Sequence, residues 1–142
     1  MTMNVGFIGL GEMGGEMARH VATKSDGRFK EFGFDLRKSA MTAAKKHGVN
    51  PTRSLNELAK KCDVVIVMVG YDHQVKQCVT DITKVGKKGA VIVITATSHP
   101  DMIHECAAIA KKRGLGVIDA PVCFGLDGAR DGVLMSTVGG AK

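Results

Sequence analysis

Tryptophan is absent from this chain, and its 142 residues include only one tyrosine and five phenylalanines. Aromatics this sparse cannot build the interleaved stacking platform on which single-stranded nucleic acid lies. Long apolar runs are missing as well: residues 64–69 (VVIVMV) and 90–94 (AVIVI) are far too short to cross a bilayer. The opening MTMNVGFIG has no basic n-region and no small-residue cleavage site, so no signal peptide is expected. The four cysteines (Cys62, Cys78, Cys106 and Cys123) never fall into a C-x-x-C spacing. That pattern predicts no metal site and fits reduced thiols in a cytoplasmic protein. No linker, low-complexity segment or fixed-period repeat divides the chain, so residues 1–142 read as one domain.

Glycine and positive charge are plentiful: 18 glycines and a net charge of +6. The charge invites a nucleic-acid reading, but its placement argues otherwise. Basic clusters at Lys45-Lys46, Lys60-Lys61 and Lys111-Lys112-Arg113 each close a helical pattern, where cations complement the negative end of the helix dipole. Lys87-Lys88 falls in a turn. Solvated helix ends are expected, with neither nucleic acid nor a membrane as partner, and with a bias toward anionic ligands.

Two hydrophobic periods alternate along the chain. Residues 4–9 (NVGFIG) form a short apolar run, after which Met13, Met17 and Val21, with Ala18 beside them, mark one face of a helix. Residues 29–35 (FKEFGFD) read as a second strand and 39–47 (SAMTAAKKH) as a helix stopped by Gly48. In Ser54-Leu55-Asn56-Glu57 the spacing of a capping box appears, with Ser54 accepting from Glu57 and Glu57 reaching back. Residues 63–69 and 90–95 are apolar on both faces, as central parallel strands are. A helix over 75–82 separates them; another runs from Pro100 to about Arg113. Short strands follow at 115–118 and 134–138. Strand–helix repetition predicts an α/β fold, a Rossmann-type doubly wound, mostly parallel sheet with helices on both faces.

The junction of the first strand and helix carries the chemistry. Gly9, Gly11 and Gly14 form G-x-G-x-x-G, and Asp35 ends the next strand 21 residues after Gly14. That context is the dinucleotide fingerprint: a tight turn at Gly9, close approach of a pyrophosphate at Gly11, and helix-on-strand packing at Gly14. Leu10, Glu12 and Met13 complete the loop, whose free amides face the phosphates. Glu12 would compete with the pyrophosphate there; its side chain is expected to face solvent and to weaken cofactor binding modestly. Asp35 would accept from the adenosine ribose and repel a 2′-phosphate, favouring NAD over NADP, although Arg37 and Lys38 are placed to offset that repulsion.

These residues resemble the β-hydroxyacid dehydrogenases, the family of 3-hydroxyisobutyrate dehydrogenase, tartronate semialdehyde reductase and 6-phosphogluconate dehydrogenase. GFIGLGEMGGEMA, DVVIVMV and DAPVCFGLDGARDGVL stand in the family's order, and the resemblance spans essentially the whole chain. It implies that Val69 and Gly70 line the adenosine and ribose side of a groove, and that Thr97 approaches the nicotinamide ribose. It further implies that Cys123, Phe124 and Gly125 offer backbone amides to the carboxylate of a small hydroxy acid or semialdehyde.

Departures are visible. Ile94 and Ala96 stand where the family usually has an acid and a serine, and Cys123-Phe124-Gly125 replaces the usual S-G-G. Phe124 removes space and freedom for positive φ beside the carboxylate site. Family members carry a catalytic lysine on a helical C-terminal domain that this chain is expected to lack. No lysine here sits in the matching motif, Lys142 being the terminus, so no catalytic residue is assigned. His73 reads as a loop residue and His99 as a helix start. A chain missing its second domain would expose Phe124, Leu126 and Met135, and a homo-oligomer formed through that surface would be unsurprising.

Overall fold

In the computed structural model, which describes residues 2–141, the alternating periods become parallel strands joined by helical crossovers. The first half runs β1 (Met3–Ile8), α1 (Glu12–Lys24), β2 (Phe29–Phe34), α2 (Lys38–Lys45), β3 (Asn50–Pro51) and α3 (Leu55–Lys61). The second half runs β4 (Val64–Val67), α4 (Asp72–Val85), β5 (Val91–Ile94), α5 (Pro100–Lys111) and β6 (Gly116–Asp119). A final stretch adds β7 (Val122–Cys123), α6 (Gly125–Asp131), β8 (Met135–Ser136) and β9 (Gly139–Gly140).

The main sheet has the order β3-β2-β1-β4-β5-β6-β9. Its first six strands are parallel, and β9 closes one edge antiparallel to β6. Chain order reverses between β1 and β4, and the loops leaving those two strands therefore diverge and open a crevice. Val5 and Phe7 of β1 face α1 and α2, packing with Leu10, Ala18, Ala44 and Val49. On the other face Ile8, Phe32, Val65, Val67 and Ile92 lie under α3, α4 and α5. Both faces are covered, which explains why β4 and β5 read as unbroken apolar runs.

Several boundaries differ from the sequence reading. The edge strand β3 escaped it because two residues carry no period, and Pro51, lacking an N–H, fits only at an edge. Helix α4 starts at Asp72, not Val75, which makes His73 a first-turn residue instead of a loop residue. The single strand expected over 134–138 shortens to β8, which pairs with β7 as a separate ribbon; the chain crosses to β6 only beyond that span, as β9. The helix α6 was not anticipated, its seven residues including Gly125 and Gly128.

The basic clusters end α2, α3 and α5 as expected. The Ser54 hydroxyl accepts from the Glu57 amide at 3.1 Å, but Glu57 accepts from the Arg53 amide (2.8 Å), one residue before the cap. The box is thus closed around the turn and not onto Ser54 itself. Replacing Ser54 with alanine should cost about 1 kcal/mol in urea denaturation, with the transition slope unchanged.

Candidate functional site

A cavity of about 850 Å³ opens at the switch point, floored by Ile8 and Gly9 and walled by the loops after β1, β2 and β4. Gly9 has φ +90, and a Cβ there would strike the carbonyl oxygen of Met68. Only glycine lets β1 turn away while the β4 loop stays beside it. At Gly14 a Cβ would run into the carbonyl oxygen of Gly9, so the first turn of α1 lies directly against the end of β1. Gly11 is the N-cap of α1, and no side chain caps it. The first-turn amides are consequently directed to the crevice with the positive end of the helix dipole behind them.

Asp35 anchors the other wall. Its carboxylate accepts from the Leu10 amide (2.9 Å) and from the Arg37 amide (2.8 Å), so it ties the glycine loop to the end of β2. The Arg37 guanidinium donates to it as well, at 3.2 Å from Nε. Burial pushes this carboxyl upward, with the side chain 11% exposed, yet the Arg37 and Leu10 hydrogen bonds outweigh it and hold the group below the ordinary aspartate value. Asp35 is therefore an anion at neutral pH. Arg37 also leans over Gly11: a Cβ on that glycine would lie 3.2 Å from the Arg37 Nη2. Gly9, Gly11, Asp35, Arg37, Val69 and Gly70 all line the cavity, so six of the residues singled out from sequence meet in one place.

The rest of those residues lie elsewhere. Leu10 is buried in the core and contributes its amide rather than its side chain. Glu12 is exposed at the start of α1, as anticipated, Met13 is half-buried, and Gly14 is buried. Thr97 is exposed on the loop after β5, at the same end of the sheet but outside the cavity walls. Cys123, Phe124 and Gly125 cross from β7 into α6, where Cys123 is exposed.

Phe124 departs from expectation: it adopts φ +81, the left-handed conformation the sequence reading reserved for glycine. A Cβ on Gly128 would stand 2.7 Å from the Phe124 Cβ, so the glycine beneath makes that turn possible. Phe124 is 63% exposed, and Val133, Met135 and Val138 are exposed beside it along the chain; Leu126 is half-buried instead. The far end of α6 is tied back to α1, with His20 Nε2 donating to the Arg130 carbonyl oxygen at 2.8 Å and Arg19 Nη2 at 3.0 Å.

The sequence reading missed a whole wall. His73, Gln77 and Asp81 of α4 line the cavity, with Gln74 and Cys78 on the same flank. Their spacing of four is legible once α4 is started at Asp72. Burial pushes the Cys78 thiol up to about 11, which makes it an apolar wall element and not a nucleophile. His99 caps α5, its ring accepting from the Asp101 amide, as the helix-start reading expected. Among the described residues no group of histidine, cysteine and carboxylate side chains could hold a metal ion, and no helix is long and apolar enough to cross a membrane. Lys142 lies outside the described residues.

An uncapped helix start, a glycine cradle and a half-buried carboxylate at the switch point fit a dinucleotide. The family model for the NAD binding domain of 6-phosphogluconate dehydrogenase matches residues 4–142. The chain belongs to that family. The domain is 34% identical over 145 residues to a Bacillus subtilis protein named uncharacterized oxidoreductase YkwC, covering 100% of this chain and 49% of that one. It is 31% identical to the mitochondrial 3-hydroxyisobutyrate dehydrogenase of Drosophila melanogaster over 140 residues, 98% of this chain and 42% of that one. The crystallised 3-hydroxyisobutyrate dehydrogenase of Mycobacterium tuberculosis, bearing L-serine, superposes with a TM-score of 0.90 at 30% identity. That match covers 100% of this chain and 48% of the other. The chain thus spans about half the length of the relatives it matches. Membership makes this an NAD-binding domain of the oxidoreductase type, on the Rossmann-type sheet described above.

Proposed function

We propose that the domain is the cofactor-binding half of an NAD-dependent dehydrogenase that interconverts a small β-hydroxy acid and the matching semialdehyde. The observation that carries the reading is Asp35, held as an anion by Leu10 and Arg37 at the groove wall where an adenosine ribose would lie. When bound, the nicotinamide would supply the hydride acceptor or donor. The domain's own residues bind and orient: first-turn amides of α1 for the pyrophosphate, Asp35 for the ribose, and the Cys123–Phe124–Gly125 turn toward a substrate carboxylate. A group that exchanges the hydroxyl proton is also needed. By the resemblance that group is a lysine outside this domain, so the domain alone binds cofactor and turns nothing over. Exposed Phe124, Val133, Met135 and Val138 support an apolar partner surface packing against this end of the domain.

Calorimetry with NAD and with NADP tests this. NAD should bind the more tightly, and Asp35→Ala should weaken NAD about ten-fold, closing most of the gap to NADP. No heat with either dinucleotide overturns the reading. Tighter binding of NADP favours a 6-phosphogluconate dehydrogenase-like or imine reductase-like enzyme, for which the Arg37 guanidinium beside Asp35 is the supporting observation. A stable monodisperse domain that binds NAD and does not self-associate would favour a non-catalytic sensing module.

A further inference from the structure

The far end of α6 is gripped from α1 by a side chain that takes no part in the groove. We infer that His20 is a positioning residue. With Arg19 it latches α6 to α1, so that the Cys123–Phe124–Gly125 turn at the start of α6 keeps one orientation relative to the glycine loop at the start of α1. This deepens the proposed function and rests on it, because that reading gives the two turns their ligands.

Helix α6 cannot set its own orientation. Its seven residues make about two turns, too few to be stable alone. Left-handed residues bound it at both ends, Phe124 with φ +81 and Gly132 with φ +71. What fixes it is contact with α1. The imidazole of His20 lies across Gly132, where a Cβ would stand 2.8, 2.9 and 3.1 Å from three atoms of the ring. Any side chain at 132 would lift the ring away, so the left-handed backbone and the close approach both call for glycine.

The hydrogen bonds of the latch have one consistent assignment. A carbonyl oxygen only accepts, so the 2.8 Å contact with Arg130 puts the hydrogen of the neutral ring on Nε2. Nδ1 is then a lone pair, buried and without a partner. Arg19 donates to the same oxygen from Nη2, while its Nε donates to Glu16 Oε2 at 2.7 Å, which holds the guanidinium along α1. Two donors thus converge on a last-turn carbonyl that α6 itself leaves unpaired. Glu12, Glu16, Arg19 and His20 all belong to one helix of 13 residues, so the phosphate-facing amides and the latch move as a unit.

Amide hydrogen exchange on this chain, read by nuclear magnetic resonance, tests the latch. The reporters are the amides of Gly128, Gly132 and Val133, which bond within α6 and its cap; the Met68 amide, which bonds to Ile8 across the sheet, is the reference. His20→Phe keeps a flat ring over Gly132 but has no N–H. It should speed exchange at the three reporters about ten-fold and leave Met68 unchanged. His20→Gln, whose amide can donate to the Arg130 oxygen, should restore most of the protection. Saturating NAD should slow the same three amides about five-fold in the wild type and not in His20→Phe. Reporters unmoved by His20→Phe, or accelerated no more than Met68, overturn the latch. So does a wild type that binds NAD in calorimetry with no change at α6. Absence of NAD binding overturns the proposed function instead, while exchange in the ligand-free chain still decides whether His20 fixes α6.

Discussion

Gly14→Ala should abolish measurable NAD binding and lower the melting temperature by about 10 °C, the size expected of roughly 3 kcal/mol in a domain this large. The added methyl would run into the carbonyl oxygen of Gly9, a main-chain atom. Neither partner can yield alone. Gly9 is held by the hydrogen bond its amide N–H donates to the Phe34 carbonyl oxygen (3.0 Å), and α1 is held by Ala18, which is fully buried against the sheet. Relief therefore requires α1 to lift from β1, which carries the first-turn amides away from the groove. Gly116→Ala is the control, because a Cβ there meets nothing closer than a Val91 methyl at 3.8 Å. That variant should melt within a degree or two of the wild type. Binding is measured at a temperature where circular dichroism shows the Gly14 variant folded. Wild-type affinity under that condition would show that the glycine cradle does not hold the cofactor.

A larger pH effect is expected from Glu31, a residue with no part in the groove. It lies mid-strand in β2, in register with Val5, and is only 3% exposed. Neither carboxyl oxygen has a hydrogen-bond partner in the described structure. Burial pushes its pKa up to about 7, because the charged form loses its water and gains no compensating group. The unfolded chain releases this proton near pH 4.5, whereas the folded chain keeps it until about 7. Between those values the folded state binds more protons, so stability falls as pH rises, by about 2–3 kcal/mol across the window. Glu31→Gln cannot ionise and should remove that slope. The variant should then be more stable than wild type by about 2 kcal/mol at pH 8 and nearly equal to it at pH 4.5. Asp35, Asp63 and Glu57 have lowered values, so their contributions are lost at more acidic pH and are common to both proteins. Urea denaturation from pH 4.5 to 8 checks the result; parallel curves for the two proteins would refute it.

Glu31 also shows where the sequence stops being informative. In FKEFGFD it reads as an ordinary polar residue of a half-exposed strand, and nothing local marks it as buried. Its burial follows from β2 lying inside the sheet, between β1 and β3, with α1 and α2 over that face. The α4 wall is a similar case. His73, Gln77 and Asp81 have helical spacing in the sequence, but that spacing cannot say which face of α4 meets a cavity. Phe124 is the reverse: the sequence argued against positive φ at a phenylalanine, yet it adopts φ +81 at the N-cap of α6, with Gly128 leaving room for its Cβ.

What the amino-acid order determined by itself was whatever depends on near neighbours. The alternation of two- and 3.6-residue periods specified parallel strands and crossover helices. The glycine spacing, with an acid at the end of the next strand, specified the tight turn at Gly9 and placed Asp35 beside it. The tertiary structure alone decided how distant segments share a surface: the placing of β8 and β9 in different sheets, the hydrogen bond from the Leu10 amide to Asp35, and the approach of the α4 flank to the loop after β2. The physical reason is range. Backbone sterics and hydrophobic period act over a few residues, whereas burial, desolvation and cavity shape depend on which strands the sheet places side by side.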